Sequence, residues 1–131
     1  MIELSFDRSR RILLVRCQLA LTHQNFAAFD GLLAKFVARE GTSDTIVDFR
    51  GLPPSALRSP ELAARGRSPS RMPGRRRVYV ADSDLVFGSL RMYSAHQHRS
   101  GAAPPAVVRT LEEALRLLDA AHAVFEPVSL D

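Results

Sequence analysis

The sequence predicts an α/β domain on a mixed, mostly parallel sheet of five strands, with its helices mainly on one face. Three observations carry this. Two N-terminal runs alternate apolar and polar residues with period two, as half-buried strands do. After them, short apolar runs alternate with segments of helical period, which argues for right-handed crossovers and parallel pairing. Helix caps and breakers fall between the two kinds of segment.

Ile2, Leu4 and Phe6 alternate with Glu3, Ser5 and Asp7 in the first strand, and Asp7 to Arg10 reads as a hairpin turn. In the second run, Ile12 to Leu19, one face holds Leu13, Val15, Cys17 and Leu19, and the other mixes Ile12 and Leu14 with Arg16 and Gln18. Strands buried on both sides read as continuous apolar runs. The shared polar face of Glu3, Ser5, Arg16 and Gln18 therefore predicts uneven helix cover, with the barer side left to water or to a second subunit.

From Thr22 the period lengthens, and Phe26, Phe29, Leu33, Phe36 and Val37 fall on one side of a helix that Gly41 stops. Thr45 to Phe49 is a short strand that Gly51, Pro53 and Pro54 cannot continue. Ser59, Pro60 and Glu61 supply an N-cap, a first-turn proline and an acid at the positive helix end, predicting a short helix from Pro60 to about Ala64. Arg65 to Arg76 carries Gly66, Pro69, Pro73 and Gly74 among arginines and serines, and reads as a mobile loop with nothing to bury.

Val78 to Ala81 is the fourth strand. Asp82 or Ser83 then caps a helix from about Asp84 to His96, with Val86, Leu90 and Tyr93 as its stripe and Gly88 in its middle. His98 to Pro105 reads as a loop and Ala106 to Arg109 as the fifth strand. Thr110-Leu111-Glu112-Glu113 is a capping box opening a last helix whose apolar face is Leu111, Leu115 and Leu118. The tail beyond Ala123, with Pro127, is weakly specified.

The 131 residues fit one domain spanning 1–131, long enough to bury about two-thirds of its unfolded surface. The longest aliphatic run, Ile12 to Val15, is closed by Arg11 and Arg16, so neither a signal-peptide core nor a membrane span of about 20 residues is expected. A cytoplasmic location follows as the expectation. Cys17 is the single cysteine, which excludes an intramolecular disulfide and a cysteine zinc cluster, and it reads as a buried core thiol.

The basic residues are arginines except for Lys35. Seven of them lie between Arg58 and Arg77 against Glu61 alone, a net of +6 that leaves −2 for the rest of a chain of net +4. Arg71, Arg75, Arg76 and Arg77 are thus candidates for binding an anion, a nucleic acid or an anionic lipid surface. The segment has no interleaved aromatics for base stacking, so a solvated loop is the preferred reading.

Asp48-Phe49-Arg50-Gly51-Leu52, a strand ending in an acid-apolar-x-Gly-apolar turn, resembles the centre of the SpoIIAA-like (STAS) superfamily. Arg77-Val78-Tyr79-Val80, Val86-Phe87-Gly88 with Arg91-Met92-Tyr93, and Val108 through Leu115 resemble small bacterial members of it. The resemblance covers nearly the whole chain. It implies a right-handed superhelix of β-α units and a noncatalytic, regulatory role through a protein partner, as in members whose binding is switched by serine phosphorylation. Here the family's Asp-Ser-(Ser/Thr)-Gly motif would fall on Ala56, Leu57, Arg58 and Ser59, with no serine at the modified position. Ser55 and Ser59 lie nearby and are the candidate modification sites.

No Gly-x-Ser-x-Gly, Gly-x-Gly-x-x-Gly or Walker A pattern occurs, and the histidines are scattered. His96 and His98 are two apart, a spacing that does not share a helix face. No catalytic residue, metal site or cofactor is therefore predicted. Gly88 costs about 1 kcal/mol in a helix, so close packing on the sheet or a gap admitting a ligand should account for it. The candidate partner or ligand surface is Arg50, Gly51 and Ser55 at the carboxyl end of a strand, together with Gly88, Arg91 and Tyr93. The expected function is a partner-binding module, with the mixed sheet face or an edge strand as the candidate surface for a homodimer. The alternative is a small-molecule or lipid carrier using an apolar pocket between helices and sheet.

Overall fold

The computed structural model describes residues 1–56, 59–67, 72–99, 101 and 103–130. Strands β1 (Ile2–Asp7) and β2 (Ile12–Cys17) form the hairpin, followed by α1 (His23–Glu40), β3 (Asp44–Asp48), a 3-10 turn (Pro54–Ala56) and α2 (Ser59–Gly66). Next come β4 (Arg77–Val80), α3 (Asp84–Arg99), β5 (Ala106–Val108), α4 (Leu111–Leu117) and β6 (Glu126–Pro127). The sheet order is β5-β4-β3-β2-β1-β6, with β2 through β5 pairing in parallel and β1 antiparallel to both β2 and β6. The chain is an α/β protein with a mixed sheet.

Register assigns the faces. Leu4 opposite Val15, Val15 beside Val47 and Val47 beside Tyr79 put these four on one face, where they join Leu33 and Phe36 of α1, Leu62 of α2, and Val86, Leu90 and Tyr93 of α3. Phe36 is fully buried and meets Phe6 edge to face at 5.0 Å. On the opposite face Ile12, Ile46, Val78, Val80 and Val108 pack with Ala114, Leu118 and Ala120. Three helices thus serve one face and α4 the other. Its cover does not extend over the hairpin end, where Glu3 and Arg16 stay exposed.

The caps behave as their chemistry requires. Thr22 Oγ1 accepts from Asn25 N at 3.2 Å, Gly41 closes α1 at φ 84°, and Ser83 Oγ accepts from Val86 N at 3.2 Å. Thr110 Oγ1 accepts from Glu113 N at 3.1 Å, completing the capping box. Glu61 does more than favour its own helix, since its carboxylate accepts from His23 N at the start of α1. An acid of one helix thus satisfies a donor at the positive end of another.

Four expectations need correction. The sheet has a sixth strand, β6, where the tail looked unspecified. The third helix runs on to Arg99, through what reads as the start of a loop. The segment from Arg65 does bury residues: Arg65 and Gly66 finish α2, and Met72 is 3% exposed, its sulfur accepting from Ser43 N at 3.4 Å. Ser68 to Arg71 lie outside the described residues, and with them the reading of Arg71 as an anion ligand.

The fourth correction concerns Gly88, which does not pack on the sheet. It is exposed, and a Cβ there would have nothing within 4 Å. The helix therefore carries its propensity cost without compensation from contacts. Gly88→Ala should raise stability by about 0.5–1 kcal/mol in urea unfolding, and a loss instead would mean that the space is occupied in solution.

Candidate functional site

On the face served by three helices, near the carboxyl ends of β2, β3 and β4, the side chains leave a cavity. It offers about 40 Å³ of room for the centres of water-sized molecules. Its floor is Cys17, Val47 and Tyr79 from the sheet, with Phe49 just beyond β3. Helical spacing supplies the walls: Asn25, Phe26 and Phe29 from α1, Leu62 and Arg65 from α2, Leu90 and Tyr93 from α3. The stretch Leu19 to Leu21 closes the end, held by Leu21 N donating to Ala56 O at 2.8 Å and Asn25 Nδ2 donating to Ala20 O at 2.8 Å.

Aromatic geometry dominates this space. Tyr79 stacks on Tyr93 with centroids 5.7 Å apart, and Phe49 meets Tyr79 edge to face at 5.6 Å. The Arg65 guanidinium lies 4.9 Å from the Phe26 ring centre and 5.9 Å from that of Phe29. It donates to both oxygens of Asp30, at 2.7 and 2.5 Å, the two-pronged arrangement that suits arginine to carboxylate. Burial alone would weaken its charge, but Asp30 outweighs this and keeps it protonated. Burial also pushes the Tyr79 phenol up, with Tyr93 adding to it, and raises the Cys17 thiol, so both stay neutral.

A second, more open pocket lies between α1 and α2, with about 210 Å³ of room, lined by His23, Phe26, Ala27, Asp30, Ala64 and Arg65. Phe26 and Arg65 line both spaces. Those two side chains form the partition between the aromatic cavity and the surface cleft.

The loop after β3 is built differently. Asp48, 2% exposed, accepts from Arg50 N at 3.0 Å, Nε at 2.9 Å and an Nη at 2.8 Å, with Arg16 3.6 Å away. Burial alone would raise its carboxyl, but these donors and charges hold it below the usual carboxylate range. Gln18 Nε2 donates to Arg50 O at 2.7 Å, and Gly51, at φ 82°, donates its N–H to Asp82 at 3.3 Å. Arg50 is a clamp on its own strand end.

The residues proposed as one surface are not gathered in one place. Arg50 and exposed Gly51 lie in that loop, and Ser55 is exposed in the 3-10 turn. Ser59 is the first residue of α2. Gly88 and Arg91 are exposed on α3, whereas Tyr93 is buried on its inner side. Of the candidate anion ligands, Arg75 and Arg76 sit on Asp44, at 3.5 and 2.9 Å. Arg77 donates to Gln97 Oε1 at 2.8 Å and Ala103 O at 2.7 Å, and reaches the Tyr93 hydroxyl at 3.4 Å.

The sequence reading found Phe26 and Phe29 as a helix stripe but assigned Arg65 to a loop. Its partner Asp30 lies 35 positions away, with no local signal to join them. Among the described residues, no group of three or more His, Cys, Asp or Glu side chains is placed to hold a metal ion, and no helix is long and apolar enough to cross a membrane. No protein-family model matches the chain, and the search of curated proteins finds no match.

Proposed function

We propose that this chain is a noncatalytic binding domain that carries a small, largely apolar molecule in the cavity between its three helices and the sheet. The observation that carries this is the aromatic lining at the carboxyl end of parallel strands, with Arg65 and Asp30 paired at its edge. Small-molecule sites are typically concave and apolar with a few fixed polar groups, and open α/β sheets hold ligands at the strands' carboxyl ends. Native mass spectrometry of freshly purified protein should reveal a retained small molecule that denaturation releases. Ligand-free protein from several preparations would count decisively against the reading.

A second reading is a SpoIIAA-like regulatory module that binds a protein partner. The succession of a hairpin and parallel β-α units supports a superhelix of that kind, and the exposed Gly51 and Ser55 after β3 support a docking loop. Fold analogy carries most of its weight. A partner retained by the native chain from its own cytosol should be lost on Ser55→Arg, with the fold unchanged by circular dichroism. Equal retention by the variant would remove this loop from the interface.

A further inference from the structure

The walls of the cavity discriminate by charge as well as by size. Arg65 is the charged residue of its lining, and its guanidinium is already engaged by Asp30. Of the other polar groups, Asn25 Nδ2 donates to Ala20 O and the Tyr93 hydroxyl accepts from Arg77. An anionic head could take Arg65 as its own counter-ion only by displacing Asp30, which is itself part-buried. A cationic head could gain a counter-ion only by drawing Asp30 away from Arg65. Either exchange leaves one charge poorly solvated and without its counter-ion, which is costly. A neutral ligand breaks neither bond.

Shape narrows the class further. Phe26, Phe29, Phe49, Tyr79 and Tyr93 present ring faces and edges, surfaces suited to offset or edge contact with another ring. The inner space of about 40 Å³ is smaller than the roughly 150 Å³ apolar cavity that admits benzene. One ring therefore fits if Phe26 turns into the outer cleft of about 210 Å³, where there is room for it, while Arg65 stays on Asp30. A long acyl chain would instead require the helices to separate from the sheet. Resting on the cavity reading above, we propose that the ligand is a neutral molecule with a single aromatic ring, entering between α1 and α2 past Phe26 and Arg65.

Fluorine NMR titrations of the full chain with fluorobenzene, 4-fluorobenzoate and 4-fluorobenzylamine test this at neutral pH. Fluorobenzene should bind at least tenfold more tightly than either charged probe. It should show cross-relaxation to ring protons of Phe26, Tyr79 or Tyr93, and lose at least tenfold in affinity on Ala20→Leu, which fills the cavity. The cross-relaxation needs no variant, so it decides the site even if Ala20→Leu fails to fold. A charged probe binding within tenfold of fluorobenzene would overturn the neutral class while leaving the cavity reading intact. Absent fluorobenzene binding, or contacts outside these rings, would overturn the proposal. Retention of some other molecule in native mass spectrometry would then still uphold the cavity as a carrier site.

Discussion

Gly66→Ala should lower the stability of this protein by about 2 kcal/mol, although alanine is the better helix former. Gly66 is the last residue of α2, where it passes α3 closely. A methyl group on it would lie 2.5 Å from His96 Cβ and 3.3 Å from Tyr93 O. The nearest atom is a Cβ rather than the end of a flexible side chain, so relief requires a shift of the helices. That shift would strain the bond from Gln97 Nε2 to Gly66 O, now 2.7 Å, and move Leu62 and Arg65 against the cavity. Overpacking costs about 1–3 kcal/mol, against at most about 1 kcal/mol of propensity gain at a helix end. Urea unfolding of both proteins checks the sign, and a variant as stable as the parent would mean that α2 and α3 are further apart than described.

Two of the helical glycines, Gly88 and Gly66, show what a single sequence can and cannot reveal. Gly88 stands in a long apolar-striped helix, so its cost is visible and invites a reason, yet the structure gives it open space. Gly66 sits among arginines, serines and prolines, where glycine looks like a loop breaker, and it is the position where a side chain does not fit. Local sequence reports backbone cost. It does not report what another element places opposite.

The same division runs through the fold. The strands β1 to β5 were legible because their apolar residues alternate or cluster between breakers, α1 because of its apolar stripe from Phe26 to Val37, and α3 and α4 because Ser83 and Thr110 cap them. Strand β6 has two residues, too few for any period, and one of them is Pro127. What holds it there is remote: Val128 N donates to Leu4 O at 2.9 Å, and Arg39 donates to Ser129 O. The cavity was hidden for a related reason. Its aromatic residues other than Tyr93 read as ordinary core, and the pairing of Arg65 with Asp30 depends on α2 lying beside α1, which no local pattern specifies.

Asp7→Ala should be the more damaging change, at about 3 kcal/mol, because this one carboxylate ties the hairpin turn to the far end of the chain. Asp7 is 3% exposed; Oδ1 accepts from Ser9 Oγ at 3.1 Å and Arg10 N at 2.9 Å, while Oδ2 accepts from Arg10 Nη1 at 3.1 Å and Val124 N at 3.0 Å. Hydrogen bonds to charged groups contribute about 1.5–3 kcal/mol each, and alanine would leave two backbone donors without their partner. Burial alone would raise the carboxyl, but these four donors outweigh it and hold its pKa at about 2, against an ordinary value of 3.8. The native state therefore binds this proton less readily than the unfolded chain does. Stability from Asp7 is fully present above the unfolded value and is lost as pH falls through about 4 towards 2. That proton-linked part is on the order of 1–2 kcal/mol once solvent screening is allowed for. Asp48 and Glu40 are also held low, so both proteins weaken in acid; the gap between them isolates Asp7. Urea midpoints at pH 7 and pH 3 should show the gap narrowing at the lower pH. A gap that stays constant would place the damage in lost packing, and one that widens would reverse the assigned charge state.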